Sequence, residues 1–192
     1  PPHITSTTGM DALTHAVEAY IGRSNVKSTE MYAEKATKMI FESLETAYTD
    51  GKNVEARETM LKASYYAGMA FTRAYVGYVH AIAHNLGGFY GIPHGLANAV
   101  ILPYVLEYYG ASAHFKLARL AEISGVKTIG SDKDKAEAFI EAIKTLNKNM
   151  NIPDTVDEIG DGVFTDCSSL TSILINNTKF EKNFKSIMPT YA

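Results

Sequence analysis

Apolar and small residues return at intervals of three and four along most of this chain, with no convincing strand alternation before residue 160. That is the period of helices that pack one face and leave the other in water. The segment Asp11 to Ile21 predicts a short helix entered through the Thr5-Ser6-Thr7-Thr8 cluster. Ser28 is placed to cap a longer helix reaching about Tyr48, where Asp50-Gly51 stops it. A third helix opens at Asn53 and runs through Tyr75. Its small residues, Ala63, Ser64, Ala67, Gly68 and Ala70, let a neighbouring backbone come close and predict a central place for it.

From Gly77 a helical stretch runs to about Leu86, then a flexible segment over Gly87-Gly88-Phe89-Tyr90-Gly91-Ile92-Pro93, then an apolar helix from His94 to Tyr109 that Gly110 ends. Ala111 to Ile123 and Asp132 to Asn149 read as two more amphipathic helices, closed by Asn151-Ile152-Pro153. In the tail, Thr165 to Ser169 is turn-like, Ile173-Leu174-Ile175 reads as a strand or a helical turn, and Phe180 to Ile187 as a last helix. Repeats and linkers are missing. The expected fold class is all-α, a single helical bundle over residues 1–192.

Composition narrows the function. With 46% hydrophobic residues and only 6 prolines in 192, the chain can bury a real core. A formal net charge of −3 and no clustered basic face argue against a nucleic-acid partner. The longest apolar run, Leu96 to Tyr109, is cut by Asn98, Pro103 and Glu107, so a membrane span is not expected. One cysteine, Cys167, supports no intrachain disulfide, and a cytoplasmic location is the default expectation. The start at Pro1-Pro2-His3 has neither an initiator methionine nor a signal peptide and reads as an excised or incomplete chain.

Six histidines occur, and three of them, His80, His84 and His94, fall within fifteen residues. A fourth, His15, follows Asp11 by four. Residues four apart on a helix share a face, so Asp11 with His15, and His80 with His84, each converge on one point. Both pairs stand among apolar residues, Met10, Leu13 and Val17 around the first and Val79, Ile82 and Leu86 around the second. A buried carboxylate is costly unless something positive compensates it, and crowded imidazoles prefer to be neutral. A divalent cation satisfies both conditions, and one carboxylate with two or three imidazoles suits Fe(II), Zn or Ni without choosing among them. The glycines at 87, 88 and 91 are not a dinucleotide fingerprint, because they follow a helix rather than a strand. His3 and His114 read as ordinary surface or packing residues.

At these residues the sequence resembles the iron-containing (group III) alcohol dehydrogenases. The stretch Thr8-Gly9-Met10-Asp11-Ala12-Leu13-Thr14-His15-Ala16-Val17-Glu18 looks like the first hallmark of that family. The longer run from Gly77 through His80, His84 and Gly87-Gly88 to Pro93-His94-Gly95 looks like the second. The likeness is clear to about Tyr109, thins afterwards, and is lost in the ending from Thr165 to Ala192. It implies that Asp11, His15, His80 and His94 ligate the metal and that His84 is a catalytic, non-ligand histidine near the reacting centre. It also implies that the chain is the helical, metal-binding domain of a two-domain enzyme, whose N-terminal NAD(P)-binding domain is absent from these residues.

The activity implied is interconversion of primary alcohols and aldehydes by metal-assisted hydride transfer. Its cofactors would be Fe2+, with Zn2+ or Ni2+ as alternatives, and NAD or NADP held by the missing domain. Phe71 and Tyr90 are candidates for a pocket around a small alcohol or aldehyde, and Arg73 for contact with a polar or anionic group. The chain alone would bind metal and be a poor catalyst, and a homodimer or higher oligomer is expected. Rival readings are a glycerol dehydrogenase-like or dehydroquinate synthase-like metalloenzyme domain, and a noncatalytic helical scaffold.

Overall fold

The computed structural model describes residues 1–154, and every regular element among them is a helix. In chain order these are α1 (Pro2–Ile21), α2 (Lys27–Thr49), α3 (Val54–Ala74), α4 (Tyr78–Tyr90), α5 (His94–Tyr109), a 3-10 turn (Gly110–Ser112), α6 (His114–Ile123) and α7 (Asp132–Asn149). The bundle foreseen from the periodicity is what forms. Cys167 and the three elements read into 165–187 lie outside the described residues. None of the described helices is long and apolar enough to cross a membrane.

Several boundaries differ from the sequence expectation, each for a local reason. The helix α1 starts at Pro2 rather than Asp11, and the hydroxyls of Thr7 and Thr8 turn back onto carbonyls one turn earlier instead of capping a later start. Thr7 donates to the His3 carbonyl at 2.8 Å and Thr8 to the Ile4 carbonyl at 2.7 Å. Pro2 supplies the fixed backbone angle that suits a first turn. Ser28 does not cap α2. Instead the Thr29 hydroxyl accepts from the Val26 N–H at 2.8 Å and returns a bond to the Val26 carbonyl. Asn53 does cap α3, its side chain accepting from the Ala56 N–H at 3.0 Å.

The largest difference lies at the glycines. Gly87 and Gly88 are helical, and α4 continues to Tyr90. The chain reverses only at Gly91, whose φ of 66° is the left-handed value that favours glycine. There the Ile92 N–H reaches back to the Leu86 carbonyl and the Gly91 N–H to the Gly87 carbonyl, closing the helix in a Schellman-like turn.

The central element is α1, not α3. It packs on α2, α3 and α5 and touches α4 and α6. Its buried residues, from Met10 and Leu13 to Val17 and Tyr20, face several neighbours at once. The small residues of α3 do admit close neighbours, but this helix flanks the bundle and its outer face presents Val54, Leu61 and Tyr65 to solvent. At Gly9 an added Cβ would stand 2.2 Å from Leu44 Cδ1, so a leucine of α2 fills the space that the glycine leaves on α1.

Within α5 the interior proline, Pro103, has no N–H to give to the Ala99 carbonyl one turn earlier. Asn147 of α7 replaces it, donating from Nδ2 to that buried carbonyl at 2.7 Å. Asn147→Ala should therefore destabilise the protein by about 1–3 kcal/mol, the cost of an unsatisfied buried carbonyl. In a Pro103→Ala background, where the helix can make its own bond, the loss should shrink. Denaturant unfolding of the two single variants and the double variant measures both effects, and equal losses in the two backgrounds would refute the pairing.

Candidate metal centre

Three helices deliver the chemistry. On α1, Asp11, His15 and Glu18 fall on one stripe, since steps of four and seven residues return close to the same direction. The first turn of α4 supplies His80, and His84 follows one turn later. The first residue of α5 is His94, with Asn98 one turn on. Glycines bring the helices together. A Cβ on Gly95 would stand 2.5 Å from the Thr7 carbonyl oxygen, and one on Gly77 would stand 2.8 Å from Glu18 Oε1.

The Asp11 carboxylate is the hub. Its Oδ2 lies 3.6 Å from His15 Nε2, and its Oδ1 lies 3.7 Å from His80 Nε2 and 3.3 Å from His94 Nε2. One ligating atom each from Asp11, His15 and His80 fall within 4.8 Å of one another. His94 reaches this trio through Asp11. Its Nε2 also faces the Asn98 amide nitrogen at 3.1 Å, and the same amide donates to Asp11 Oδ1 at 2.5 Å.

Ring packing fixes the imidazoles. His15 is sandwiched, with Phe71 on one side at 4.1 Å between centroids and His80 on the other at the same distance. His84 is not among the groups in contact with the Asp11 carboxylate; its ring stacks on His94 at 5.1 Å and stands edge-on to His80 at 6.0 Å. Tyr90 ends α4 at the surface beside Phe89, and Arg73 is exposed near the end of α3. Phe71 is thus a wall of the histidine cluster. His3 is exposed at the start of α1 and His114 begins α6, both outside the cluster.

Protonation divides the histidines. Burial pushes His15 down to about 4, and the charge on His80 adds to it. His84 is also lowered, by burial and then by His94 and His80. His80 departs from the neutral imidazole expected of a crowd. Burial lowers it, yet contact with Asp11 and Glu18 outweighs that and raises it to about 9. Burial likewise raises Asp11, but His80, His15 and Asn98 together hold its carboxyl below the usual range.

The donor set fits a divalent cation. His80 Nε2 and His15 Nδ1 are buried nitrogens without a hydrogen-bond partner, as is the Asn98 amide oxygen. A buried unpaired polar atom costs about 1–3 kcal/mol. His80 Nε2 is such an atom on the Asp11 carboxylate that His15 Nε2 and His94 Nε2 also face, an arrangement that a shared positive partner would satisfy.

Sequence reasoning missed Glu18 and Asn98. Asn98 is fully buried, and Glu18, at 2% exposure, binds His80 Nδ1 at 2.6 Å. A signal existed for each: a carboxylate between Val17 and Ala19 in an apolar stretch, and an amide one turn past His94 in a helix of apolar residues. Their partners are distant in sequence, so only their anomaly was visible.

Glu18 also acts on Tyr109, whose hydroxyl is pushed up to about 12 by burial and by that carboxylate. A phenol with a raised folded value favours folding below its ordinary value near 10 and loses that contribution as pH climbs through about 12. Tyr109→Phe should accordingly flatten the alkaline loss of stability between pH 10 and 12, as followed by denaturant unfolding at stepped pH. Gly95→Ala tests the α1–α5 approach. Its Cβ meets backbone that must move, so a loss of about 1–3 kcal/mol is expected in the same assay, where an unchanged midpoint would contradict the packing.

Comparison with known proteins gives the family. The family description "Fe-containing alcohol dehydrogenase family, C-terminal" matches residues 5–188. Alcohol dehydrogenase 4 of Saccharomyces cerevisiae is 47% identical over 160 residues, covering 83% of this chain and 41% of that protein. The 1,3-propanediol dehydrogenase of Citrobacter freundii is 47% identical over 161 residues, covering 83% of this chain and 42% of that protein. A solved alcohol dehydrogenase from Oenococcus oeni superposes with a TM-score of 0.82 at 36% identity, over 98% of this chain and 52% of that one. The chain therefore spans about two-fifths of the length of the curated relatives it matches. With an all-helical bundle, a histidine-carboxylate cluster and a match over nearly its whole length, this chain belongs to the iron-containing alcohol dehydrogenase family, as its C-terminal part.

Proposed function

We propose that this chain is the metal-holding part of an iron-dependent, NAD(P)-linked dehydrogenase that interconverts short primary alcohols and aldehydes. One observation carries the reading: His15 Nε2, His80 Nε2 and His94 Nε2 stand 3.6, 3.7 and 3.3 Å from the Asp11 carboxylate, and the His80 nitrogen is buried with no hydrogen-bond partner. Asp11, His15, His80 and His94 would hold the ion. When bound, a divalent ion supplies Lewis acidity toward an alcohol or aldehyde oxygen. Borderline nitrogen ligands with one carboxylate suit Fe(II), with Zn(II) and Ni(II) as competitors.

The other residues serve the reacting group. His84 stacks on His94 and is solvent-exposed, so it stands between the cluster and bulk water. Its lowered value leaves it neutral at pH 7, ready to take the hydroxyl proton of an alcohol and pass it outward. Phe71 shields the inner face of His15 from water. Tyr90, at the surface end of α4, is assigned to the mouth of the substrate site. Nicotinamide binding is assigned to a preceding domain, in keeping with a chain that matches about two-fifths of its relatives.

In the full-length protein, His94→Ala should lower metal affinity about 10-fold or more, since even outer hydrogen-bond partners of ligands carry that much. His84→Ala should retain the ion while kcat falls about 10²–10⁴-fold, the usual contribution of a positioned acid or base. Elemental analysis beside steady-state assays separates the two. Undiminished metal in the His94 variant would remove this reading in favour of a structural histidine cluster.

A further inference from the structure

The Glu18 side chain is completely shut off from solvent, and its partners are two backbone amides and an imidazole rather than a lysine or arginine. Oε1 accepts the Val79 N–H at 2.7 Å. Oε2 accepts the Gly77 N–H at 2.9 Å and lies 2.6 Å from His80 Nδ1. Gly77 and Val79 begin α4, so the carboxylate is gripped by backbone that cannot rotate away. Gly77 itself makes room for it, since any Cβ there would intrude to 2.8 Å from Oε1.

This grip decides which face of the His80 ring is open. Both Glu18 oxygens already accept backbone N–H bonds, which turns their lone pairs toward donors and favours a nitrogen beside Oε2 that carries hydrogen. An imidazole that ligates a metal is neutral and has one N–H. The proton that the Asp11 and Glu18 contacts favour without an ion must therefore leave on binding, and keeping the remaining hydrogen on Nδ1 gives Nε2 a bare lone pair. That Nε2 is the buried, unpartnered atom 3.7 Å from Asp11 Oδ1. Turning the ring over would exchange nitrogen for carbon at both ends and abandon the 2.6 Å bond.

We propose that Glu18 is a positioning residue for His80: by holding the Nδ1 hydrogen from α1 it selects the tautomer and ring orientation that present Nε2 to the ion. The inference rests on the metal-centre reading above and adds to it a residue that touches neither ion nor substrate. Carboxylates so placed behind ligating imidazoles also strengthen them as donors.

Glu18→Gln is the informative change. Its amide keeps the shape but has only one accepting atom. With NH2 beside His80 it opposes the Gly77 N–H and leaves Nδ1 to accept. With the oxygen there, NH2 opposes the Val79 N–H, so the hold on the Nδ1 hydrogen is weakened either way. The test uses the full-length protein with Zn2+ as a diamagnetic probe. Nitrogen-15 spectra of the zinc-loaded wild type should show hydrogen on His80 Nδ1. Chelator competition should show zinc affinity about 10–100-fold weaker in Glu18→Gln, and no further weakening when the same change is made in a His80→Ala background.

A bare Nδ1 in the wild type overturns the proposal, and this measurement decides the matter even if the variant fails to fold. Equal losses with and without His80 would also overturn it, leaving Glu18 as a plain cap for α4. If His80→Ala alone kept wild-type zinc affinity, the metal-centre reading would fall together with it. A loss in His80→Ala with none in Glu18→Gln would sink the positioning role only.

Discussion

Two carboxylates on one face of α1, Asp11 and Glu18, stand in a helix otherwise lined by Met10, Leu13, Val17 and alanines, and folding withdraws Glu18 wholly and Asp11 largely from water. Burial of a carboxylate costs several kcal/mol unless charge or hydrogen bonds compensate it. The fold answers in two different ways. Glu18 is satisfied completely by the first turn of α4 and by His80. Asp11 meets three imidazoles and one amide, a surrounding in which buried nitrogens stay unpaired. One carboxylate is fully satisfied within the fold, and the other is left among imidazoles in an arrangement that fits a cation.

The rest of the bundle serves that division. Gly77 lets α4 start against Glu18, and Gly95 lets α5 start against Thr7, so His80 and His94 open their helices beside the same helix, α1. Packing on all sides of α1 then sets their mutual distances. Pro103 and Asn147 show the same economy further along α5, where a missing hydrogen bond inside one helix is supplied by the side chain of another. Because the imidazoles stack on one another and on Phe71, ring planes as well as positions are held.

Membership of the iron-containing alcohol dehydrogenase family gives this arrangement its chemical meaning. A cluster with one carboxylate hub and a buried unpaired nitrogen facing it is suited to a cation, while His84 stacks on His94 and is exposed. The same four-residue spacing produced both kinds of histidine. His80 turns toward α1 and is buried, whereas His84, one turn later, has passed the end of that contact and faces solvent.

Much of this was legible in the order of residues. The helical period, the stop at Asp50-Gly51, the cap at Asn53 and the opening of α5 at His94 follow from local propensity and patterning, because each involves neighbours a few positions apart. Spacing on a helix also brought Asp11 to His15, since one turn separates them wherever the helix is placed. It did not distinguish His80 from His84, for both belong to one face until another helix selects between them. Nor did it reveal Glu18 and Asn98, whose partners His80 and Asp11 lie 62 and 87 positions away. Gly87 and Gly88 read as a loop but became helix, because the glycine penalty of roughly 1 kcal/mol is smaller than what packing and a proper stop at Gly91 provide. Local forces chose the helices; which buried atom was left without a partner was decided only when the first turns of α4 and α5 met the middle of α1.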